Sequence, residues 1–459
     1  MDDLIERLSA VLGPGGVLTE PNDIAPFGTD WRGLINHRPR AVLRPADTDA
    51  AAAAIMLCAR AGVSIVPQGG NTSLVAGAIP SEANTQMVLS MARLNRVRSI
   101  DRTGLTMVVE AGVTLRNAQM AAEAEGALLA LSISSEGSAQ IGGVIATNAG
   151  GNNTLRFGNA RDLVLGLEVI LPDGTIWHGL RRLRKDNTGY ALRQLFAGSE
   201  GTLGVITAAA LKLHPAPRQR VACLCGVASI HAVLDLFARF REEDEAALYA
   251  FEYISGEAMA INLRHMSNGR LPLANQAPHY ALLELATTRR NDHLRETMET
   301  VLADALESGM IEDAVIATSE AQRLAFWAIR EHLAESQKRE GASVKNDISV
   351  PIAAIPLVLQ RAEAMLARHY PGARMAAFGH VGDGNVHLNV ITTAAGEALM
   401  ADINAIVADL GGSFSAEHGV GLTKRPAFAA WREPTERALM VRIKTAIDPA
   451  DTLNPGKIF

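Results

Sequence analysis

The pattern of the sequence changes at Pro215-Ala216-Pro217, and this change constrains the fold more than any other feature. Before it, short strand-like and helix-like stretches alternate from about residue 39 onward. After it, strands such as VACLCGVA and HYALLELA alternate with longer helical patterns, expected at 230–242, 293–307 and 319–339. Because 459 residues exceed what one hydrophobic core can hold, we expect an α+β protein of several parts. Their expected limits are 1–215, 216–412 and 413–459, the last with one helix and a tail.

Composition and charge exclude several classes of protein. With 48% hydrophobic and 20% charged residues, the chain is that of an ordinary globular protein. Its formal charge of -6 argues against a nucleic-acid partner, and its three cysteines cannot form a disulfide framework. The acidic N-terminus lacks the basic start of a signal peptide, and no apolar run reaches the length of a membrane span. We therefore expect a cytoplasmic protein without a membrane span.

The stretch GHVGDGNVHLNV, residues 379–390, predicts a β-hairpin that carries two histidines. Asp383-Gly384 is a strong signal for a two-residue turn, which would put His380 directly opposite His387, with Asn389 on the same face. Two facing imidazoles can share a metal ion. A hydrogen-bonded histidine pair at a sheet surface is the alternative.

A second stretch, SAEHGVG at 415–421, offers the groups that would complete such a site. Glu417 can supply a third ligand, and two histidines with one carboxylate suit Zn²⁺ or Mn²⁺, and also Fe²⁺. His418 is the candidate catalytic base. Its alternative role is to orient Glu417 without touching the substrate.

Three glycine-rich stretches lie in the first half of the chain: VPQGGNTSL at 66–74, GSAQIGGVIATNAGG at 137–151 and GSEGTLGVIT at 198–207. Runs of this kind suit close approach of the backbone to a phosphate or a large flat ligand, although a lone Gly-Gly pair is more often a surface turn. Neither a G-x-G-x-x-G nor a Walker-type loop is present, so a standard dinucleotide-binding unit is unsupported.

Together with KDNTGYAL (185–192), the histidine hairpin, EHGVG and the terminal LNPGKIF, these stretches resemble the FAD-linked oxidase superfamily of the vanillyl-alcohol oxidase type. The resemblance is strongest to its D-2-hydroxyacid dehydrogenase branch, which includes D-2-hydroxyglutarate and D-lactate dehydrogenases. It implies a two-part FAD-binding domain, an α+β cap domain with an antiparallel sheet covered by helices, and a C-terminal segment that returns to the cofactor.

The resemblance also implies the cofactor-binding residues. Gln68 to Leu74 would hold the pyrophosphate, and Asn454 would meet the flavin from the tail. Covalent members carry a histidine where this chain has Asn71, so non-covalent FAD is expected. The full expected set is Pro67, Gln68, Gly69, Gly70, Asn71, Thr72, Ser73, Leu74, Gly137, Ser138, Gly142, Gly143, Thr147, Asn148, Gly204, Ile206 and Asn454.

The substrate-binding residues are expected in the second half. The helix at 319–339 has a predicted buried stripe of Phe326, Ile329 and Leu333, which Arg330 borders. A helix arginine often lies on the surface, but by resemblance Arg330 and Lys345 fall where the family binds substrate carboxylates. The remaining expected substrate contacts are Asn389, His380 and His387. Where hydroxyglutarate enzymes tend to place a hydroxyl one turn after the arginine, this chain has Ala334.

The resulting hypothesis is an FAD-dependent enzyme that oxidises a D-2-hydroxy acid, first D-2-hydroxyglutarate, by hydride transfer to flavin N5. A divalent metal held by His380, His387 and Glu417 would assist. D-lactate or another small D-2-hydroxy acid is the alternative substrate. A metal-dependent hydrolase and a non-catalytic FAD-binding subunit are the alternatives of another class. The expected partner is a separate electron acceptor, an electron-transfer flavoprotein or a quinone, with oxygen left open. The resemblance also implies a homodimer.

Overall fold

The computed structural model describes residues 2–266, 270–290, 293–394 and 396–459. Contacts divide the chain into two compact units. Unit 1 comprises residues 1–150, 157–216 and 417–459, and unit 2 comprises residues 151–156 and 217–416. No helix within the described ranges is both long enough and apolar enough to cross a membrane.

The chain up to residue 216 contains short helices and two main sheets. The helices are α1 (Asp2–Leu12), α2 (Pro21–Ile24), α3 (Thr48–Arg60), α4 (Leu115–Ala124), α5 (Ile141–Ala146), α6 (Thr154–Phe157), α7 (Ala160–Leu163) and α8 (Arg193–Phe196), with a 3-10 turn at Ala25–Gly28. The strands are β1 (Val17–Leu18), β2 (Val42–Leu43), β3 (Ile65–Gln68), β4 (Met87–Ser90), β5 (Val97–Asp101), β6 (Thr106–Glu110), β7 (Ala127–Leu128), β8 (Val164–Ile170), β9 (Ile176–Gly179), β10 (Val205–Lys212) and β11 (His214–Pro215).

Unit 1 is thus built on a four-stranded sheet in the order β1-β2-β4-β3 and a five-stranded sheet in the order β5-β6-β10-β8-β9. In the first sheet β2, β4 and β3 are parallel, and β4 is buried along its whole length, as strands covered on both faces are. The second sheet is antiparallel. A small pair, β11 and β7, completes the strand pairing.

Helix α3 shows how local sequence sets these elements. Asp47 caps its first turn, because its carboxylate accepts a hydrogen bond from the amide of Ala50 at 2.8 Å. Ala51, Ile55 and Cys58 follow at helical spacing and are fully buried in the core of unit 1. The cap and this apolar face fix where the helix begins and which side it buries.

Between residues 217 and 416 the chain forms long strands and longer helices. They are β12 (Gln219–Val227), α9 (Ile230–Asp244), β13 (Leu248–Ser255), α10 (Gly256–His265), β14 (His279–Thr287), α11 (Leu294–Glu307), β15 (Ile311–Ile316), α12 (Glu320–Glu331), α13 (Leu333–Glu340), β16 (Ser343–Val344), β17 (Asp347–Ser349), α14 (Ile355–His369), β18 (Arg374–His380), β19 (Asn385–Ile391) and α15 (Gly396–Asp409), with 3-10 turns at Ile352–Ala354 and Val381–Asp383. The C-terminal segment adds α16 (Arg425–Trp431) and α17 (Pro434–Ile447).

Unit 2 is an antiparallel sheet in the order β15-β12-β14-β13-β18-β19-β16, with β17 also paired to β19. Side chains alternate between its two faces, as the pleat of a strand requires. Cys223 and Cys225 of β12 pack into the core beneath α9, α11, α14 and α15, with their sulfur atoms 3.6 Å apart. Leu224 packs into the opposite core, beneath α10, α12 and α13.

Two predicted helices differ from the structure. The helix expected at 319–339 is two helices, α12 and α13, separated at His332. A ring nitrogen of His332 lies 2.7 Å from the carbonyl oxygen of Ala328, which also accepts the backbone amide of His332 at 3.1 Å. The predicted stripe of Phe326, Ile329 and Leu333 is buried, as expected.

The single helix predicted after residue 413 is also wrong, because the segment forms α16 and α17. Pro434 is the first residue of α17, and Glu433 before it has an extended backbone with ψ 130°. A residue that precedes proline is disfavoured in the helical region. The chain therefore cannot run on as one helix through this point.

Candidate active site

The hairpin of β18 and β19 carries both predicted histidines, but its register differs from the prediction. His380 pairs with Asn385, and Phe378 pairs with His387. The two histidines are therefore diagonal neighbours instead of directly opposite residues. Because the register has moved by two residues, both side chains still lie on one face of the sheet.

The reason for the shift is the loop. The expected two-residue turn is replaced by the 3-10 turn Val381–Asp383 and Gly384, which has φ 77°. The Asp383 carboxylate accepts a hydrogen bond from the amide of Asn385 at 3.0 Å. A Cβ at Gly384 would overlap the carbonyl oxygen of Val350, so this left-handed position admits only glycine.

Despite the shifted register, the two imidazoles are close. Their ring centroids are 5.8 Å apart and their planes are inclined at 77°, and a nitrogen of His380 lies within 4.8 Å of a nitrogen of His387. His380 is buried and His387 is half-buried. Neutral imidazoles in this arrangement can bind one divalent ion.

Glu252 of β13 joins His380 to Arg330, and sequence reasoning missed it. Its Oε1 lies 2.5 Å from Nδ1 of His380, and its Oε2 accepts a hydrogen bond from Nε of Arg330 at 2.5 Å. Arg330 Nη2 is 3.4 Å from Nε2 of His380, and its guanidinium lies over the ring of Phe378. The only signal in the sequence is one acidic residue inside an apolar strand, LYAFEYIS.

The charge of Glu252 follows from its neighbours. Burial alone would raise the pKa of this fully buried carboxyl, but Arg330 and His380 outweigh burial and lower its pKa to about 2. Glu252 is therefore an anion at neutral pH, and it accepts hydrogen bonds from both partners.

His387 lies next to β17, which leads toward the other predicted residues. It pairs with Asp347 across the strands, with Nδ1 3.5 Å from the Asp347 carboxylate. The carbonyl oxygen of Asp347 accepts a hydrogen bond from the amide of Ala416 at 3.2 Å. Glu417 is the next residue along the chain, so its α-carbon is one peptide unit, about 3.8 Å, from a residue anchored beside His387.

The other predicted substrate contacts have different surroundings. Asn389 is buried on the same side of β19 as His387, and its Nδ2 donates to Oε1 of Gln337 in α13 at 2.8 Å. Lys345 is exposed, between β16 and β17. Ala334 is also exposed, near the start of α13.

Within unit 1 the three glycine-rich stretches and the C-terminal tail come together. A Cβ at Gly70 would overlap the carbonyl oxygen of Ser138, so the first two stretches are in backbone contact. In the third, the amide of Glu200 donates to the carbonyl oxygen of Ala146 at the end of α5. The tail arrives through Asn454, whose amide donates to the carbonyl oxygen of Ile65 at 2.7 Å and whose Nδ2 donates to Gly77 and Glu200.

Several predicted cofactor residues hold these stretches in place. Gln68 donates to the carbonyl oxygens of Phe27 and Ala78. The hydroxyl of Ser73 accepts from the amides of Val75 and Gly77. The remaining predicted residues with such contacts are Asn71 (to Thr29), Thr147 (to Gly143 and Val144), Asn148 (to Arg161), Gly142 (against Ala111) and Gly204 (against Val169 and Phe196).

Other features of unit 1 suit a bound ligand. Among the described residues, a Cβ at Gly137 or Gly143 would meet no atom within 4 Å outside its adjoining backbone. The Oδ1 atom of Asn454 is buried, with no hydrogen-bond partner among the described residues. Asn71, Asn148 and Asn454 all have positive φ, a sparsely populated backbone conformation that is enriched at functional sites. These residues fit a cofactor such as FAD.

Sequence reasoning also missed a buried charged pair beside this region. The Glu200 carboxylate accepts hydrogen bonds from the amides of Val420 and Gly421, and burial raises its pKa. Burial lowers the pKa of Lys457 to about 8. The Lys457 ammonium has no hydrogen-bond partner in the described parts of the chain, and the negative charge of Glu200 opposes the effect of burial on the Lys457 pKa.

Two protein families match consecutive parts of the chain. The family described as "FAD binding domain" matches residues 39–179. The family described as "FAD linked oxidases, C-terminal domain" matches residues 216–458, more than half of the chain.

Similar proteins extend over the whole chain. It is 36% identical over 463 residues to D-2-hydroxyglutarate dehydrogenase, mitochondrial, from Bos taurus, covering 100% of this chain and 84% of that protein. It is 34% identical over 467 residues to D-2-hydroxyglutarate dehydrogenase from Stutzerimonas stutzeri (strain A1501), covering 99% and 98%. The crystal structure of p-cresol methylhydroxylase with substrate bound superimposes with a TM-score of 0.75, at 16% identity, covering 100% of this chain and 96% of that one.

The resemblance and the fold class inferred from the sequence are therefore confirmed. The solved structure, at its low identity, shows the fold alone, which is of the vanillyl-alcohol oxidase type. Neither a metal-dependent hydrolase nor a non-catalytic subunit is supported by these matches. The chain belongs to the FAD-linked oxidase family and is an FAD-dependent oxidoreductase.

Proposed function

We propose that the protein oxidises a D-2-hydroxy acid to the corresponding 2-oxo acid, with D-2-hydroxyglutarate as the first candidate substrate. The two relatives above, both D-2-hydroxyglutarate dehydrogenases by name, support the reaction class. The observation that carries the proposal is the Arg330 guanidinium 3.4 Å from the metal-ligand candidate His380. One cation-binding group and one carboxylate-binding group side by side suit a substrate with a hydroxyl next to a carboxylate.

We assign the metal to His380, His387 and Glu417, with Zn²⁺ or Mn²⁺ as the candidate ions. Imidazole nitrogens and a carboxylate oxygen are a donor set that both ions accept. The support is the closeness of the two imidazoles and the tether of Glu417 to Ala416. When bound, the ion supplies a positive charge that lowers the pKa of the substrate hydroxyl.

The protein's own residues would then bind the substrate and accept its proton. Arg330 and Lys345 bind carboxylate, and Asn389 donates or accepts through its amide. Arg330 already uses Nε on Glu252, so its Nη atoms are the ones that can reach a substrate. His418, as a neutral imidazole, accepts the hydroxyl proton. FAD, when bound, supplies N5 as acceptor of the hydride that leaves the α-carbon.

For the cofactor, we propose non-covalent binding in unit 1. Residues 67–74 would hold the pyrophosphate, and Asn454 would donate to or accept from the flavin. Support comes from the family match at 39–179 and from the open space beside Gly137 and Gly143. We propose, as expected from the sequence, that 1–215 binds FAD, 216–412 binds substrate and 413–459 completes the site.

The electrons would leave to a separate acceptor, an electron-transfer flavoprotein or a quinone. The cytoplasmic location and the homodimer both stay predictions. The bovine relative is mitochondrial by its printed name, so cell fractionation with markers for both compartments is the direct test of location.

A substrate panel tests the reaction. The purified protein is assayed with paired D- and L-2-hydroxy acids and an artificial dye acceptor. The expected result is turnover of D-acids alone, with the highest kcat/KM for D-2-hydroxyglutarate. A preference for D-lactate would support the alternative substrate. Ala334, which stands where hydroxyglutarate enzymes tend to have a hydroxyl, would then account for the difference in substrate. If the FAD-loaded protein turns over none of the D-2-hydroxy acids, the proposed reaction is wrong.

A further inference from the structure

Glu252 is the point at which the proposed metal ligand and the proposed substrate-binding arginine meet. It lies in β13, the strand that pairs with β18, and its register partner across the sheet is His380. Each carboxylate oxygen has one of the two partners, at 2.5 Å in both cases. The side chain is 1% exposed, so water does not compete for either bond.

The bond to His380 decides which ring nitrogen can bind a metal. The Glu252 carboxylate accepts from the Arg330 guanidinium through Oε2 and lies 2.5 Å from Nδ1 of His380 through Oε1, an arrangement in which Nδ1 of His380 carries the proton and donates it to Oε1. A neutral ring with its proton on Nδ1 has its lone pair on Nε2. Carboxylates that orient a metal-binding histidine in this way change metal affinity about 10–100-fold when they are removed.

The bond to Arg330 decides where a substrate carboxylate can be held. With Nε fixed by Glu252, the plane of the guanidinium is set, and the ring of Phe378 lies 4.8 Å from its central carbon. Arg330 therefore has fewer accessible rotamers before substrate binds, which lowers the entropy cost of binding.

We propose that Glu252 is a positioning residue that fixes the Nδ1–H tautomer of His380 and the orientation of Arg330 with one carboxylate. This inference rests on the proposed function. It predicts that metal affinity and substrate KM depend on the same side chain, although Glu252 contacts neither metal nor substrate.

A second buried carboxylate in the same sheet, that of Glu284, provides a control for Glu252. Glu284 of β14 is also 1% exposed, and it bonds Arg220, Arg323 and the indole of Trp327. None of these partners is a proposed ligand or substrate contact. Glu284→Gln is therefore the matched control for the loss of a buried negative charge.

The decisive variant is Glu252→Gln. A glutamine side chain has one acceptor oxygen and one donor nitrogen, so it cannot accept from His380 and Arg330 together. If its NH₂ group meets His380, Nδ1 becomes the acceptor and the proton moves to Nε2, the atom proposed to bind the metal. Glu252→Asp keeps two acceptor oxygens, but its side chain is shorter by one methylene.

The experiment measures Zn²⁺ dissociation constants of the FAD-loaded proteins by competition with a chromophoric chelator. The expected result is about 10–100-fold weaker binding in Glu252→Gln and a change below about threefold in Glu284→Gln. At saturating Zn²⁺, Glu252→Gln should also have a raised KM for D-2-hydroxyglutarate, because a neutral amide oxygen holds the Arg330 guanidinium less tightly than a carboxylate does. Flavin content should equal that of the wild type in every variant.

Zn²⁺ affinity in Glu252→Gln within about twofold of the wild type would overturn the inference, as would an equal loss in Glu284→Gln. If Glu252→Gln does not fold, Glu252→Ala carries the same test, because it leaves both partners without an acceptor, and wild-type Zn²⁺ affinity there would overturn the inference. Glu252→Asp, which keeps both acceptor oxygens, should bind Zn²⁺ more tightly than either variant. A wild-type protein that binds neither Zn²⁺ nor Mn²⁺ would overturn the metal site itself, and with it this role of Glu252. Metal binding is measured without substrate, so failure of the proposed substrate alone leaves this readout intact.

Discussion

His380 and His387 lie diagonally across a β-hairpin, with ring centroids 5.8 Å apart on one face of the sheet of unit 2. Each has a carboxylate near its Nδ1 atom, Glu252 in the first case and Asp347 in the second. Because the carboxylate is near Nδ1 in both rings, Nε2 is the nitrogen that we propose binds the shared ion in each.

The first prediction concerns His387→Ala. Removing one of three ligands should abolish tight metal binding and lower kcat/KM at least about 100-fold, since metal stabilisation of several kcal/mol corresponds to factors of this size. FAD content should not change, because the proposed cofactor residues are in unit 1. Metal analysis, flavin absorbance and dye-coupled assays on one preparation give all three values.

His332→Ala is the matched control for this variant. His332 is exposed at the junction of α12 and α13 and bonds only Ala328 in the described structure. It should keep wild-type metal content and activity. Wild-type activity in metal-free His387→Ala would contradict the assignment of the ion.

The hairpin shows how far the sequence could be read. Alternation of side chains predicted correctly that both histidines share a face, because a strand repeats every two residues. The register was wrong by two residues, because Asp383-Gly384 looks like a two-residue turn. The actual loop depends on the approach of Val350 to Gly384, a contact between distant parts of the sequence.

Glu252 could not be found for the same reason. In the sequence it is one acidic residue in a strand, and its partners are 78 and 128 positions away. Gly70 and Gly143 illustrate the other limit. Both lie in glycine-rich runs. A Cβ at Gly70 would overlap the carbonyl oxygen of Ser138, whereas a Cβ at Gly143 would meet no atom of the described residues within 4 Å outside its adjoining backbone.

This difference gives the second prediction. Gly143→Ala should be at least as stable as the wild type to heat in the absence of FAD, because Gly143 lies in α5 and the added methyl group overlaps none of the described residues. If FAD fills the space beside Gly143, its dissociation constant should rise at least about tenfold, the effect of about 1.4 kcal/mol. Gly70→Ala should instead destabilise the protein by about 1–3 kcal/mol, since its methyl group overlaps backbone.

Fluorescence titration with FAD and thermal unfolding separate the two effects. Gly396→Ala in α15 of unit 2 is the control, because its Cβ would make only an ordinary contact with Val344 at 3.4 Å. Unchanged FAD affinity in Gly143→Ala would remove this position from the cofactor site.

The third prediction concerns Lys345→Gln. Loss of a charge-assisted hydrogen bond to a carboxylate is worth about 1.5–3 kcal/mol, so KM for D-2-hydroxyglutarate should rise about 10–100-fold. FAD and metal content should stay at wild-type values, because Lys345 is exposed and serves neither group in the proposal. Lys338→Gln, an exposed lysine of α13, should leave KM unchanged. An unchanged KM in Lys345→Gln would exclude this lysine as a substrate contact.

A fourth prediction follows from Glu340, at the end of α13. Hydrogen bonds from Arg264, Arg374 and His265 lower its pKa to about 2, from an ordinary value of 4.5. Because the folded-state pKa is the lower one, the stabilisation is complete above pH 4.5 and is lost as the pH falls toward 2. Glu340→Gln should therefore be less stable than the wild type at pH 7, by about 1 kcal/mol, the upper range for exposed ion pairs.

Thermal unfolding of both proteins from pH 7 down to pH 3 measures this difference. It should shrink steadily below about pH 4.5. A difference that is constant over the whole range would show that the cluster does not act through the charge of Glu340.

The central proposal is that a D-2-hydroxy acid reduces the FAD of this protein in a metal-dependent reaction. The most direct measurement is anaerobic mixing of the FAD-loaded protein with D-2-hydroxyglutarate, without any electron acceptor, followed through the absorption of oxidised flavin. We expect the D-enantiomer to bleach the flavin, the L-enantiomer to leave it oxidised, and chelation to slow the reaction at least about 100-fold until Zn²⁺ or Mn²⁺ is returned. Equal bleaching by both enantiomers, or full-rate bleaching of the metal-free protein, would contradict the account.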